Sequence, residues 1–192
     1  MSSVPKKIES KVKKGDMIAT RSGYGETLVE LGEIHKDIVV MDADLAKSTS
    51  SAVFGKAFPE RFKYAGISEA DMISMGAGLA SAGKTPFVSS FACFLITRGY
   101  DQIRVSVAYS NSNVKINGSH GGIITGPDGP TGQGITDIAA MRNMPNVNVL
   151  VPADYLEAKA CTRLMYNNKG PFYMRTAREK TPVLYDTEPK LE

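Results

Sequence analysis

The sequence predicts an α/β fold, a three-layer sandwich in which helices cover both faces of a mostly parallel sheet. Short apolar runs rich in β-branched residues, such as Ile-Val-Val-Met at 38–41, are typical of strands buried on both faces. Helical stretches separate most of these runs, and that alternation is characteristic of parallel sheets. The 192 residues suit a single domain with its own apolar core.

The elements follow in chain order. The first helix is predicted within 19–35, where Leu28, Leu31 and Ile34 recur at helical spacing. Asp154, two residues after Pro152, has the side chain and the position of an N-cap. Strands are predicted at 38–41, 62–65, 86–90, 114–117, 147–151 and 172–175, and further helices at 68–82, 95–109, 135–143 and 154–167.

The charge, the cysteine content and the length of the apolar runs argue against several classes of function. The net charge of +3 is small, and many of the lysines lie in a polar leader at 1–17, so a nucleic-acid interface has little support. Cys93 and Cys161 are too few and too far apart for a zinc motif, and they indicate free thiols in a reducing compartment, which favours the cytoplasm. No apolar run reaches the ~20 residues of a membrane span.

The segment 78–85 (Gly-Leu-Ala-Ser-Ala-Gly-Lys-Thr) matches the phosphate-loop pattern letter by letter. A phosphate loop leaves a strand and opens a helix, because helix N-terminal amides hold the phosphates. Here the order is reversed: a helix ends at Gly83 and a strand follows. A nucleotide hydrolase therefore stays only as a remote alternative.

Three segments near predicted strand ends carry more information. They are 66–72 (Gly-Ile-Ser-Glu-Ala-Asp-Met), 42–45 (Asp-Ala-Asp-Leu) and the glycine-rich loop 118–134. In parallel sheets, ligands bind beyond the carboxyl ends of the strands. Together with Tyr-Asp-Gln at 100–102, the three segments resemble the transketolase family in order and spacing from about Thr20 to Arg178.

The resemblance implies the thiamine diphosphate-binding fold and identifies 18–180 as the module that binds the cofactor's aminopyrimidine. In that family a glutamate matching Glu69 hydrogen-bonds a ring nitrogen and switches the cofactor on. From the residues alone, Ser68 and Asp71 around it also have the shape of a helix capping box, so a purely structural role stays open. Phe91 and Phe94 match aromatics that wall the ring, and Asp44 matches an aspartate that helps place the cofactor.

The same resemblance assigns the substrate. Arg21 and Arg175 match arginines that clamp the phosphate of the sugar, and a guanidinium fork is suited to a phosphate. Ser48 matches a serine that contacts this phosphate. His120 and Asp128 match residues that meet the donor sugar, and His120 is the candidate for proton transfer.

The Gly-Asp-Gly segment that holds Mg²⁺ and the diphosphate in this family is missing from the sequence. The resemblance therefore implies a two-subunit transketolase in which a partner chain or domain binds Mg²⁺, in a homodimer or a heterotetramer acting on sugar phosphates. The chain alone is expected to be inactive, with no metal site of its own. Residues 181–192 are read as a tail or the start of a linker to a C-terminal domain. A deoxyxylulose-phosphate synthase-like enzyme and a non-catalytic regulatory paralogue remain alternatives.

Overall fold

The computed structural model describes residues 12–191 and confirms the predicted α/β fold. Its main sheet has six strands, all parallel, one at each predicted position. A three-residue strand near each end of the domain adds a small antiparallel sheet. The strands are β1 Met17–Ala19, β2 Ile38–Asp42, β3 Phe62–Tyr64, β4 Thr85–Phe91, β5 Lys115–Ser119, β6 Asn148–Leu150, β7 Phe172–Arg175 and β8 Lys180–Pro182. The order across the main sheet is β3-β2-β4-β5-β7-β6.

Helices cover both faces of this sheet, as predicted. Ile38 and Val40 of β2 pack into one core, whereas Val39 and Met41 pack into another on the opposite face. This two-sided burial explains why β2 is continuously apolar. The helices are α1 Thr20–Ile34, α2 Ala46–Thr49, α3 Ala52–Ala57, α4 Glu69–Ser81, α5 Ala92–Arg98, α6 Tyr100–Gln102, α7 Asp137–Arg142 and α8 Tyr155–Asn167. The first core lies under α1, α3 and α8, and the second under α4, α5 and α7.

The helix predicted at 95–109 is not one continuous α-helix. It is α5, then α6, then a π-helix at Ile103–Tyr109. Gly99 separates the first two pieces, and glycine is a poor residue for a helix interior. The short helices α2 and α3 were not predicted, because four and six residues are too few to show a helical period.

The small antiparallel sheet joins the two ends of the domain. Ile18 of β1 pairs with Thr181 of β8, so the pairing crosses the predicted boundaries at 17/18 and 180/181. Lys13 and Lys14 of the predicted leader are exposed, while residues 1–11 with their lysines lie outside the described part of the chain.

The phosphate-loop match is contradicted by its setting. Helix α4 runs to Ser81, Gly83 has a left-handed φ of 80°, and β4 starts at Thr85. No helix N-terminus follows the lysine, so the backbone amides that would bind phosphate are missing. Within residues 12–191, no helix is both long and apolar enough to cross a membrane.

Candidate active site

The predicted site residues gather at the carboxyl edge of the main sheet. Asp44 follows β2, Phe91 ends β4, His120 follows β5 and Arg175 ends β7. Because all six strands are parallel, these ends lie on the same edge. Glu69 reaches this edge from α4, since its carboxylate accepts a hydrogen bond from Ser90 of β4.

The Glu69 side chain is completely buried at the first position of α4. Ser90 Oγ donates to its Oε1 at 3.0 Å, and Arg98 Nη1 donates to both carboxylate oxygens at 3.2 Å. The capping box does not form, because Ser68 Oγ donates to the carbonyl of Ala65 instead of accepting from the helix. The immediate partners of this carboxylate are therefore a hydroxyl group and an arginine.

Phe91 and Phe94 stack on each other, with ring centroids 5.6 Å apart and planes 18° apart. The imidazole of His120 stacks on Phe91 with a centroid distance of 3.9 Å. The guanidinium of Arg98 lies 4.3 Å from the centre of the Phe94 ring. Planar groups therefore connect His120 to Arg98, whose other contact is the carboxylate of Glu69.

His120 follows β5 with a left-handed φ of 59° and is almost fully buried. Burial, with a further contribution from the charge of Arg21, lowers the pKa of His120 to about 4, while Asp128 acts in the opposite direction. The imidazole is therefore neutral at pH 7. Its Nδ1 lies 2.9 Å from Ser119 Oγ, which leaves Nε2 for proton exchange with a ligand.

The two predicted phosphate arginines lie in different surroundings. Arg21 Nη1 donates to the backbone carbonyl of Ser48 at 2.7 Å, and burial lowers the pKa of Arg21, with the charge of Arg178 as the next cause. Arg175 instead donates through Nε and Nη2 to the buried Asp137. The donors that would bind a phosphate are thus largely occupied in Arg175.

Arg178 is a residue that the sequence interpretation missed. It lines an open pocket of about 730 Å³ together with Arg21, and it also interacts electrostatically with Arg21 and His120. Its Nη1 donates to the carbonyl of Thr125 in the glycine-rich loop at 2.9 Å. Arg178 lies three residues beyond β7. The rule that ligands bind after strand ends could have singled it out.

The glycine-rich loop passes closely over the protein's own side chains. A Cβ on Gly118 would lie 2.2 Å from Tyr173 Oη, and one on Gly121 would lie 2.4 Å from the Arg175 side chain. Gly134 closes the loop, because its carbonyl accepts from the backbone of Gly122 and from Arg175 Nη2. These glycines therefore seat the loop on β7. Asp128 is exposed at the end of a short turn in this loop.

A second missed residue supports the segment after β2. Asp42 is buried, and its carboxylate accepts hydrogen bonds from Thr49 at 2.7 Å and Ser51 at 2.9 Å. Burial raises the pKa of Asp42 to about 6 despite these hydrogen bonds. These hydrogen bonds hold the segment that carries Asp44 and Ser48. Asp44 itself is exposed and has a left-handed φ of 65°.

Comparison with known proteins shows what this chain is similar to. Residues 16–183 match the family model described as "Transketolase, pyrimidine binding domain". A Methanocaldococcus jannaschii protein described as a candidate transketolase C-terminal section is 49% identical over 168 residues, which cover 88% of this chain and 53% of that protein. One of the subunits of an apulose-4-phosphate transketolase from Phocaeicola vulgatus is 37% identical over 173 residues, covering 90% of this chain and 55% of that protein.

Among solved structures, a split-gene transketolase in an inactive beta4 tetramer superimposes with a TM-score of 0.82 and 43% identity. The match covers 91% of this chain and 56% of that one. This chain thus spans about half the length of the relatives named here. The family implies use of thiamine diphosphate. The family match over residues 16–183, together with the fold shared with the solved structure, shows that this chain belongs to the transketolase pyrimidine-binding domain family.

Proposed function

We propose that this chain is the pyrimidine-binding part of a thiamine diphosphate-dependent transketolase that transfers a two-carbon ketol unit between sugar phosphates. The observation that carries the proposal is the buried carboxylate of Glu69, held at the carboxyl edge of the sheet beside Phe94 and Arg98. Such a carboxyl group can form a hydrogen bond with a ring nitrogen, and stacked aromatic rings can pack against a flat heterocycle.

The residues present fit the aminopyrimidine end of the cofactor. Glu69 would bond a ring nitrogen, Phe91 and Phe94 would pack on the ring, and Asp44 would help to place the cofactor. Thiamine diphosphate, when bound, would supply a nucleophilic carbon and an electron sink for cleavage of the ketose carbon–carbon bond. Within residues 12–191, no group of three or more histidine, cysteine or acidic side chains is arranged to hold a metal. The proposal assigns Mg²⁺ to the partner on a separate ground, which is the Gly-Asp-Gly segment that this sequence lacks.

The remaining polar residues act on the sugar phosphate. His120 is neutral, and in the tautomer whose Nδ1–H donates to Ser119 Oγ its Nε2 accepts a proton from a substrate hydroxyl and returns it later. Asp128 binds the hydroxyl region of the sugar. The phosphate lies between Arg21 and Arg178, close to Ser48, because these two arginines line one open pocket, where the exposed Glu179 is the only acidic residue in the described lining and pairs with Arg178. In this proposal Arg175 supports the loop and does not clamp the phosphate.

The complete enzyme needs a second chain. We assign the Mg²⁺ and diphosphate half to a transketolase diphosphate-binding subunit, assembled with this one as a heterotetramer, or to a diphosphate-binding domain within a homodimer. The sequence lacks the Gly-Asp-Gly segment, and three relatives of the split or two-subunit kind support this arrangement. Buried free cysteines support a cytoplasmic setting, where we place the enzyme in the pentose phosphate pathway.

The test reconstitutes the chain with its diphosphate-binding partner, thiamine diphosphate and Mg²⁺. Ketol transfer from a panel of ketose phosphates to aldose phosphates is then measured for wild type and Glu69→Gln. We expect turnover in the wild-type complex and none with Glu69→Gln, while the circular dichroism of the isolated chain is unchanged. Consumption of pyruvate would instead favour the deoxyxylulose-phosphate synthase-like enzyme. Unchanged partner activity with Glu69→Gln would favour a regulatory paralogue.

A further inference from the structure

Arg98 contacts both Glu69 and Phe94, the acid and the aromatic ring that would bind the aminopyrimidine in the proposed function. Its Nη1 lies 3.2 Å from both carboxylate oxygens of Glu69. Its guanidinium carbon also lies 4.3 Å from the centre of the Phe94 ring. One side chain thus contacts the acid and the aromatic wall at once, although neither the motifs nor the family resemblance gave Arg98 a role.

The two partners of this ion pair are buried to very different extents. The Glu69 side chain is 0% exposed, whereas the Arg98 side chain is 45% exposed. The arginine therefore contributes little to the apolar core, but it neutralises a carboxylate that would otherwise be buried without an opposite charge.

The geometry favours a guanidinium group over an ammonium group. A planar group can lie over an aromatic ring and direct an edge nitrogen toward a carboxylate, whereas an ammonium is a point charge without a plane. Ser90 binds only one oxygen of Glu69. Arg98 contacts both oxygens, so it fixes the orientation of the carboxylate relative to the Phe94 ring.

We propose that Arg98 is a positioning residue that orients Glu69 and Phe94 for the aminopyrimidine. This inference rests on the proposed function of Glu69. Cofactor binding and the proton transfer served by Glu69 depend on Arg98, while the binding of sugar phosphates does not. Arg21 and Arg178, which line a separate pocket, serve the substrate.

The experiment uses the complex with the diphosphate-binding subunit. Arg98→Ala is compared with Arg98→Lys and with Arg104→Ala, a control in which an exposed arginine paired with Asp101 is lost. Three quantities are measured: the dissociation constant of thiamine diphosphate by calorimetry, deuterium exchange at the thiazolium carbon by quenched NMR, and KM for the sugar phosphates. Thermal unfolding of each isolated chain accompanies them.

For Arg98→Ala we expect cofactor affinity and the exchange rate each to fall about ten- to a hundredfold, the range for loss of a charge-assisted hydrogen bond. KM for the sugar phosphates should stay within about twofold, since Arg98 belongs to the cofactor part of the site. Millimolar guanidinium chloride should restore affinity to Arg98→Ala and leave Arg104→Ala unchanged. Arg98→Lys should fold normally and recover only part of the affinity.

Wild-type affinity and exchange in Arg98→Ala would overturn the inference while leaving the proposed function intact. A loss of affinity that guanidinium does not restore would also overturn it, because the cause would then be packing. If Arg98→Ala does not fold, the same measurements on Arg98→Met, which keeps the length over the ring, replace it. If the wild-type complex neither binds cofactor nor transfers ketol units, the proposed function itself fails.

Discussion

Arg175 and Asp137 form an ion pair next to Gly134, where the glycine-rich loop ends. Asp137 is fully buried at the start of α7, and its Oδ2 accepts from both Arg175 Nε at 2.9 Å and Tyr173 Oη at 2.6 Å. Arg175 also donates to the carbonyl of Gly134, where the loop returns. This ion pair therefore connects β7, α7 and the glycine-rich loop, which contains His120.

Breaking this pair should destabilise the chain. We expect Asp137→Asn to lower the free energy of unfolding by about 3 kcal/mol, because the arginine then lacks its buried counter-charge. Tyr173→Phe, which removes one hydrogen bond to the same carboxylate, should cost only about 1 kcal/mol. Urea denaturation of the isolated chain measures both. Equal stability of Asp137→Asn and wild type would contradict a supporting role for Arg175.

Arg178 is predicted to bind the substrate phosphate. Arg178→Ala in the reconstituted complex should raise KM for phosphorylated sugars about ten- to a hundredfold, because a charge-assisted contact is lost. KM for the corresponding unphosphorylated sugars should change little. Arg142→Ala, which removes an exposed arginine from α7, is the control. Steady-state kinetics with paired sugars would refute the prediction if both substrates were affected equally.

The low pKa of His120 gives a pH prediction for the isolated chain. A histidine with its pKa lowered to about 4 binds fewer protons than the unfolded chain between pH 4 and 6.5. It therefore stabilises the fold above pH 6.5, and this contribution is lost as the pH falls toward 4. NMR of the imidazole Cε1 proton, assigned with His120→Gln, should show no titration between pH 5.5 and 8. A midpoint near 6.5 would show that the ring is solvated.

Lys115 gives a pH dependence with the same sign in another range. Its ammonium is buried under Phe172 and donates to the carbonyls of Asn168 and Gly170 at 2.7 Å, and burial lowers its pKa to about 7. Above pH 7 the folded chain loses the proton of the Lys115 amine, whereas the unfolded chain still binds it. The free energy of unfolding should therefore rise with pH, by at most about 1.4 kcal/mol per pH unit.

This slope is measured as a difference between variants. Urea denaturation is measured between pH 7 and 8.5. At higher pH the two buried thiols, whose pKa values are raised, make the stability of the fold decrease with pH. The slope should appear in wild type and in the control Lys84→Met, which alters an exposed lysine. The slope should be absent in Lys115→Met, whatever its absolute stability. An identical slope in all three chains would contradict the assignment to Lys115.

The parts of the fold that were predicted correctly have local signals. The run 38–41 is apolar throughout because β2 is buried on both faces, and Asp154 caps α8 by accepting from the backbone of Glu157 at 2.7 Å. The strands β1 and β8 had no such signal. Each is three residues long, and each is held by a partner more than 150 residues away.

The candidate site divides in the same way. The order of motifs led to the choice of Glu69, Phe91, Phe94 and His120 as candidates, and the structure brings these residues to one edge of the sheet. The choice between Arg175 and Arg178 could not be made from the sequence, because both arginines lie near the end of β7 in one short run. The buried carboxylate of Asp137, which occupies Arg175, comes from a different element.

The sequence by itself determined the alternation of strands and helices, the family and the set of chemical groups available to the site. Only the tertiary structure decided which charge pairs with which: Glu69 with Arg98, Asp137 with Arg175, and Arg21 beside Arg178. The physical reason is that periodicity and capping act over a few neighbouring residues. Ion pairing instead depends on distances of a few ångströms between side chains that separate strands and helices bring together.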